Sequence, residues 1–141
     1  MDPIRLAEKV VDSMYNNDPF SKWLGIERIE DGAGISVLRM TVNKEMLNGF
    51  GIAHGGITYS LADSALAFAS NSHGKKCVSI ETAISHLTAV KEGDILTARA
   101  VEKNCSNKIA LYEVDVTNQN GKLVASFRGT VYRTSQEWDV K

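Results

Sequence analysis

The sequence predicts an α+β domain in which an antiparallel β-sheet wraps around one long central helix, with a short helix ahead of it. Three observations carry this. A helical stretch around residues 54–72 is apolar on nearly every side, so it demands burial rather than a place on a surface. Every segment after it alternates apolar and polar residues with a period of two, the pattern of strands with one covered face. The intervals between those segments carry Gly, Asn and Asp in turn-forming clusters. A curved sheet closed over a buried helix satisfies all three demands.

The elements follow in order. Asp2-Pro3 reads as an N-cap followed by proline at the first helical position. Ile4, Ala7, Val11 and Met14 then form a helical stripe with Val10 beside it, and Asn16, Asn17 and Asp18-Pro19 stop it. Residues 24–29 read as a strand, 31–34 as a turn and 35–42 as a second strand. A glycine-rich loop over 43–53 leads into the central helix, which Asn71-Ser72-His73-Gly74 closes with a glycine past its last turn. Val78, Ile80, Thr82 and Ile84 alternate with Ser79, Glu81, Ala83 and Ser85 in the next strand. Lys91-Glu92-Gly93-Asp94 is a turn, 95–102 a strand, and 104–108 another turn. Tyr112, Val114 and Val116 mark one strand, Asn118-Gln119-Asn120-Gly121 a hairpin turn, and Leu123, Ala125, Phe127, Gly129 and Val131 one face of the last strand. The tail from Ser135 carries no pattern. No repeat or linker interrupts residues 1–141, so one domain is expected.

Composition narrows the function. The 141 residues suffice for one domain with a real core. A formal net charge of −1 argues against a nucleic-acid binder driven by bulk electrostatics. Cys77 and Cys105 stand far apart and read as reduced thiols, and His54, His73 and His86 show no zinc-ligand spacing with them. No metal and no organic cofactor is expected. The N-terminal residues show no signal-peptide pattern and no window reaches the ~20 apolar residues of a membrane span, so a cytoplasmic protein away from membranes is expected.

The chemistry concentrates in Asn48-Gly-Phe-Gly-Ile-Ala-His54-Gly55-Gly56 and the helix behind it. A helix start carries unpaired N–H groups and the positive end of the dipole, which suits it to hold an anion or a developing oxyanion. Gly55 and Gly56 lack a Cβ and let a ligand approach the backbone closely. Asp63 is an isolated acid within the apolar helix, with no charged neighbour among Tyr59, Leu66 and Ala67. A buried unpaired carboxylate is costly, which makes it a candidate base or nucleophile. Together these features point towards acyl chemistry.

Geometry adds a constraint. From Gly55 to Asp63 is about 12 Å along a helix axis, so one reacting carbon cannot touch both in a single chain. If both act together, the acid comes from another subunit, and two antiparallel helices in a two-fold dimer would supply it. His54 can orient the loop through a hydrogen bond or act as a base. His73 and His86 have no motif partner and read as surface or turn histidines. Glu81 reads as a solvated strand residue. Phe50, Ile52, Tyr59, Leu66 and Phe68 are candidates to line an apolar pocket.

The set Asn48…His54-Gly55-Gly56…Asp63 followed by Val78-Ser79-Ile80-Glu81 resembles the hotdog-fold acyl-CoA thioesterases, and among them the phenylacetate-degradation (PaaI-type) group. The similarity spans about residues 40–133 and includes Met46-Leu47-Asn48-Gly49, Ser60-Leu61-Ala62-Asp63, residues 93–98 and Phe127-Arg128-Gly129. It implies a hotdog fold and hydrolysis of an acyl-CoA, aryl-acetyl or medium-chain, to free acid and coenzyme A. It implies that Gly55 donates its N–H to the thioester carbonyl, that Asp63 is nucleophile or general base, that Asn48 helps place the carbonyl or the water, and that Ser79 assists. It further implies a homodimer joined edge to edge, often doubled to a tetramer. Gly56, Phe50, Tyr59 and Leu66 are the expected substrate contacts, and no single basic residue stands out for the coenzyme phosphates. Two other readings stay open at this point: a hotdog dehydratase or hydratase, and a non-catalytic acyl-CoA-binding module. Release of free thiol separates hydrolysis from both.

Overall fold

A computed structural model describes residues 1–140. The first helix, α1 (Pro3–Asn16), starts where Asp2 Oδ1 accepts from the N–H groups of Ile4 and Arg5 at 2.9 and 3.1 Å. It buries Ala7, Val10 and Val11. Asp18-Pro19 ends this helix and also starts another. Asp18 Oδ1 accepts from Ser21 N–H, Pro19 takes the first helical position, and α2 (Pro19–Trp23) forms one further turn. The strand expected at 24–29 is corrected accordingly. Leu24 and Ile26 are buried but lie outside the sheet, Gly25 adopts φ +72° to turn the chain, and β1 (Glu27–Gly32) starts later. A cap-plus-proline signal works in both directions, and the apolar residues that suggested a strand anchor a bend instead.

The remaining elements are β2 (Ile35–Thr41), a 3₁₀ turn (Lys44–Met46), α3 (Gly55–Asn71), β3 (Lys75–His86), β4 (Ile95–Cys105), β5 (Ile109–Thr117) and β6 (Leu123–Glu137). They make one six-stranded antiparallel sheet in the order β1-β2-β4-β5-β6-β3. The last strand runs past Ser135, because Glu137 pairs with Lys75, and Trp138 then donates its indole N–H to Asn71 Oδ1 at 2.9 Å.

The register lines up the concave face. Leu38 stands opposite Ala98, Met40 opposite Leu96, Ala100 opposite Val114, Ala98 opposite Val116, and Val114 opposite Phe127. All are buried, and α3 lies on them through Leu61, Ala62, Ala65, Leu66, Phe68 and Ala69. Each fully buried Leu or Phe here stabilises by roughly 1.5–3 kcal/mol relative to exposure. Small residues in the middle of the sheet let the helix sit close. The tightest contact is at Gly129, where a Cβ would meet Leu66 Cδ2 at 2.5 Å.

Strand β3 departs from simple alternation. Ser79 pairs with Val131 and Glu81 with Thr130, so Ile80 is an extra residue and forms a β-bulge. The bulge reverses the expected pattern ahead of Ile80 and keeps it beyond. Ahead of it Ser79 shares the inward face with Val131. Beyond it Thr82, Ile84 and His86 face inward, opposite Gly129, Phe127 and Ala125. Val78 and Ile80 stay 56% and 59% exposed.

Gly129→Ala should lower stability by about 1–3 kcal/mol, because overpacking forces Leu66 off its position. Gly129→Val should cost more. Thermal or urea unfolding measures both, and an unchanged midpoint for Gly129→Ala would contradict this account of the helix seat.

Candidate active site

The entry to α3 is built from local hydrogen bonds. Asn48 N–H donates to Ile52 O at 2.8 Å, and Asn48 Oδ1 accepts from the N–H groups of Phe50 and Ile52 at 2.9 and 3.4 Å. Gly51 turns the loop at φ +79°. Ala53 N–H and His54 N–H donate to Val90 O and Met46 O, at 2.7 and 2.8 Å, and tie the loop to its surroundings. Asn48 thus uses its carbonyl to hold the loop, and its Nδ2 donors have no protein partner among the described residues.

His54 is the N-cap of α3, and its Nδ1 accepts from Gly56 N–H at 2.9 Å. That places a proton on Nε2 in the neutral ring. The cap takes up the second glycine's donor and leaves the first. Gly55 N–H has no acceptor among the described residues, at the positive end of the 17-residue α3. Of the two glycines, Gly55 therefore offers the free backbone donor.

Asp63 lies two turns further along α3. It is half-buried, without a hydrogen bond or ion pair among the described residues, and burial pushes its pKa up from the ordinary carboxylate value. It opens on two cavities. One of about 60 Å³ also has Leu66, Ser70, Cys77, Ser79 and Val131 in its wall, so the inward turn of β3 brings Ser79 to Asp63. The other, of about 450 Å³, lies under the α1–α2 corner and is lined by Met14, Pro19, Phe20, Phe68 and Trp138 as well as Ser13, Asn17, Ser21 and Ser64.

Gly55 faces a third cavity of about 330 Å³, shared with Asn48, Thr58, His86 and Thr88. Within one chain the expected residues therefore divide into two groups, Asn48 with Gly55 and Ser79 with Asp63. The other expected contacts lie elsewhere. Phe50 is 90% exposed at the loop tip, outside the three cavities just described. Tyr59 is half-buried and packs against the core, bonded through its hydroxyl to Thr82 Oγ1 and edge-on against Phe127. Leu66 is buried against Gly129 and reaches the smallest cavity.

His86 is the residue that the sequence reading passed over. No motif points to it, and an alternation continued from Ile84 gives it a face but no partner. Pairing with Ala125 sets it on the inner face beside Gly55, and the bulge at Ile80 brings Ser79 to that same face. Away from both groups, His73, Glu102 and Cys105 bring ligand-type atoms within 4.8 Å of one another, an arrangement invisible in their spacing. Glu102 Oε1 is already bonded there to His73 Nε2 at 2.7 Å and to the Tyr112 hydroxyl at 2.6 Å. Burial raises the Glu102 pKa, but these hydrogen bonds outweigh it and leave the carboxyl below its usual value. The cluster reads as a closed structural network.

The unpartnered Asp63 has a consequence for stability. Its pKa is raised in the folded state, so between the unfolded and folded pKa values the native protein binds more protons. Its ionisation therefore costs stability as pH rises through that interval. Asp63→Asn should raise the melting temperature at neutral pH, and the gain should vanish below the ordinary carboxylate range. Calorimetry across pH tests this, and a variant less stable than wild type at neutral pH would contradict it.

Comparison with known proteins agrees with this architecture. Residues 50–125 match the profile of the Thioesterase superfamily. Acyl-coenzyme A thioesterase PaaI of Escherichia coli K12 is 41% identical over 121 residues, which cover 86% of each chain. The solved structure of the E. coli PaaI protein, from the phenylacetic acid degradation operon, superposes with a TM-score of 0.95 at 38% identity, over 96% of this chain and 99% of that one. The smu.793 protein of Streptococcus mutans, solved bound to acetyl-CoA, reaches a TM-score of 0.78 at 26% identity, over 80% of this chain and 91% of that one. With a long helix seated in one antiparallel sheet and this degree of identity, the chain belongs to the thioesterase superfamily, among its hotdog-fold acyl-CoA thioesterases of the PaaI type.

Proposed function

We propose that this thioester hydrolase cleaves aryl-acetyl-CoA or medium-chain acyl-CoA to free acid and coenzyme A, at a site assembled from two subunits. One observation carries the reading: the free donor of Gly55 and the unpaired carboxylate of Asp63 open on different cavities of the same chain. Two halves of one reaction centre then require a second copy.

The sheet offers the means. Among the described residues the outer side of β3 has no strand beside it, and this edge is 12 residues long with Val78 and Ile80 exposed on it. A long apolar edge favours pairing with another strand. A two-fold axis perpendicular to the sheet beside β3 joins two sheets edge to edge through antiparallel β3 strands and sets the two α3 helices antiparallel on one face, with Asp63 of the partner subunit approaching Gly55. Doubling this dimer gives the tetramer.

The chemistry follows from the groups. Gly55 N–H holds the thioester carbonyl oxygen, and Asn48 Nδ2 helps to place the substrate. The cavity between Asp63 and Ser79, about 60 Å³, has room for a water. Asp63 takes a proton from this water as its oxygen attacks the carbonyl carbon, and Ser79 holds the water. The C–S bond then breaks, the sulfur leaves with the bonding pair and takes the proton held by Asp63, which frees the base, and the carboxylic acid formed gives its remaining proton to solvent. The raised pKa of Asp63 makes it a better base than a solvated aspartate. His54 holds the loop through Gly56. The 450 Å³ cavity beside Asp63 supplies an acyl pocket, and its wall of Phe20, Phe68 and Trp138 suits an aromatic ring.

Thiol release from a panel of acyl-CoAs tests the activity directly. Phenylacetyl-CoA should be cleaved with a kcat/KM at or above that of octanoyl-CoA. Asp63→Asn should lower kcat by two or more orders of magnitude with KM little changed, as expected for a positioned acid–base group worth roughly 10²–10⁴-fold. A wild-type kcat in that variant would end the mechanism.

Mixing tests the shared site. Gly55→Pro removes the N–H at a helix position that tolerates proline, behind a His54 backbone already extended at ψ 135°, and its Cβ also presses on the His86 ring, so it disables the Gly55 half of the site as a whole. Each single variant should be nearly inactive. Exchange of subunits between the two variants leaves one intact site in each mixed dimer and should restore about a quarter of wild-type activity. No recovery despite demonstrated exchange would place both groups in one chain.

A further inference from the structure

His86 ends β3, and its imidazole turns the Nε2 vertex toward the first residue of α3. A Cβ built on Gly55 would stand 3.1 Å from Nε2, 3.3 Å from Cε1 and 3.8 Å from Cδ2. The two residues share the cavity of about 330 Å³ with Asn48 and Thr58. The other two histidines are engaged, His54 with Gly56 N–H and His73 with Glu102. Neither ring nitrogen of His86 has a hydrogen-bond partner among the described residues.

We propose that His86 is a second oxyanion donor, whose Nε2–H and the Gly55 N–H converge on the thioester carbonyl oxygen. The inference rests on hydrolysis taking place at Gly55. Stabilising a tetrahedral oxyanion calls for preorganised donors about 2.7–3.1 Å from the oxygen. The neighbouring backbone donor, Gly56 N–H, is closed off by the His54 cap, so any second donor comes from outside the helix. His86 places its Nε2 3.1 Å from where a Cβ on Gly55 would stand, and the Nε2–H tautomer turns a donor to that point. Glycine at 55 then has two reasons: it leaves the backbone accessible, and it leaves room for the ring. As the attacking oxygen bonds to the carbonyl carbon, the π pair moves onto the carbonyl oxygen, and both donors stabilise it there. Collapse returns that pair and expels the sulfur. His86 keeps its proton throughout, which separates its role from that of Asp63.

Three variants test the assignment. His86→Phe keeps a ring of similar bulk without a donor. His86→Gln carries its amide N–H near the place of Nε2, whereas His86→Asn carries it nearer that of Nδ1. With phenylacetyl-CoA, His86→Phe and His86→Asn should lose about 10²-fold in kcat with little change in KM, and His86→Gln should recover most of the loss. The second readout is spectroscopic. In the slow Asp63→Asn background, the carbonyl stretch of bound, carbonyl-¹³C-labelled phenylacetyl-CoA should fall below its value in water. Adding His86→Phe or His86→Asn should remove part of that shift, and His86→Gln should retain it. If His86→Phe fails to fold, the contrast between Gln and Asn decides alone. A wild-type kcat in His86→Phe, equal losses in Gln and Asn, or a carbonyl frequency indifferent to residue 86 overturns the proposal. In each of those cases a wild-type enzyme that releases thiol leaves the thioesterase reading standing. A wild type that releases none overturns both.

Discussion

The seat of α3 against β6 is the contact on which the rest of the molecule depends. Leu66 occupies the space that any side chain at 129 would fill, and the alanines of the neighbouring strands keep the floor of the sheet shallow beneath the helix. A helix so apolar has no stable place on a surface, so the sheet must curl over it. Once buried, the helix can be approached at its N-terminus and along the stripe that carries Asp63. Those are two places that open on cavities, Gly55 at one and Asp63 at the other.

A single extra residue in β3 connects the sheet to both places. Without the bulge at Ile80, residues an odd number apart such as Ser79 and His86 would lie on opposite faces. With it, Ser79 faces Asp63 and His86 faces Gly55, although seven positions separate them. Bulges re-aim side chains next to functional sites at the expense of local pairing. Here the irregular strand is also the sheet's open edge, so the same element carries side chains for both halves of the site and the surface for the proposed pairing.

Several polar groups away from the candidate site close on one another. Glu102, His73 and Tyr112 satisfy one another, and Asp2 and Asp18 satisfy helix starts. Asp63 and the Gly55 N–H are left without partners among the described residues. An unpaired half-buried carboxylate is unfavourable for folding, and a pKa above the ordinary carboxylate range suits the base proposed above. The His54 cap works to the same end by closing one N–H of the helix start and leaving the adjacent one open.

Local patterns determined much of this protein. The apolar helix, the alternating strands, the hairpin turn at Asn118–Gly121 and the caps at Asp2 and Gly74 depend on residues within a few positions of each other, so they can be read along the chain. The loop with Gly55 and the isolated acid at Asp63 are legible for the same reason, being contiguous or on one helix. Helical rise alone already separated them by too great a distance for one chain to use both on one atom. Where the structure differs, non-local contact decides. Asp18-Pro19 carries equal signals for an end and a start, and packing of Leu24 and Ile26 chose the second helix over an early strand. The bulge at Ile80 is set by pairing with β6, some fifty residues away, so the inward turn of Ser79 and the outward turn of Val78 and Ile80 do not follow from alternation, nor does the place of His86 beside Gly55. Periodicity assigns faces only while a strand stays regular, and tertiary pairing decides where the regularity breaks.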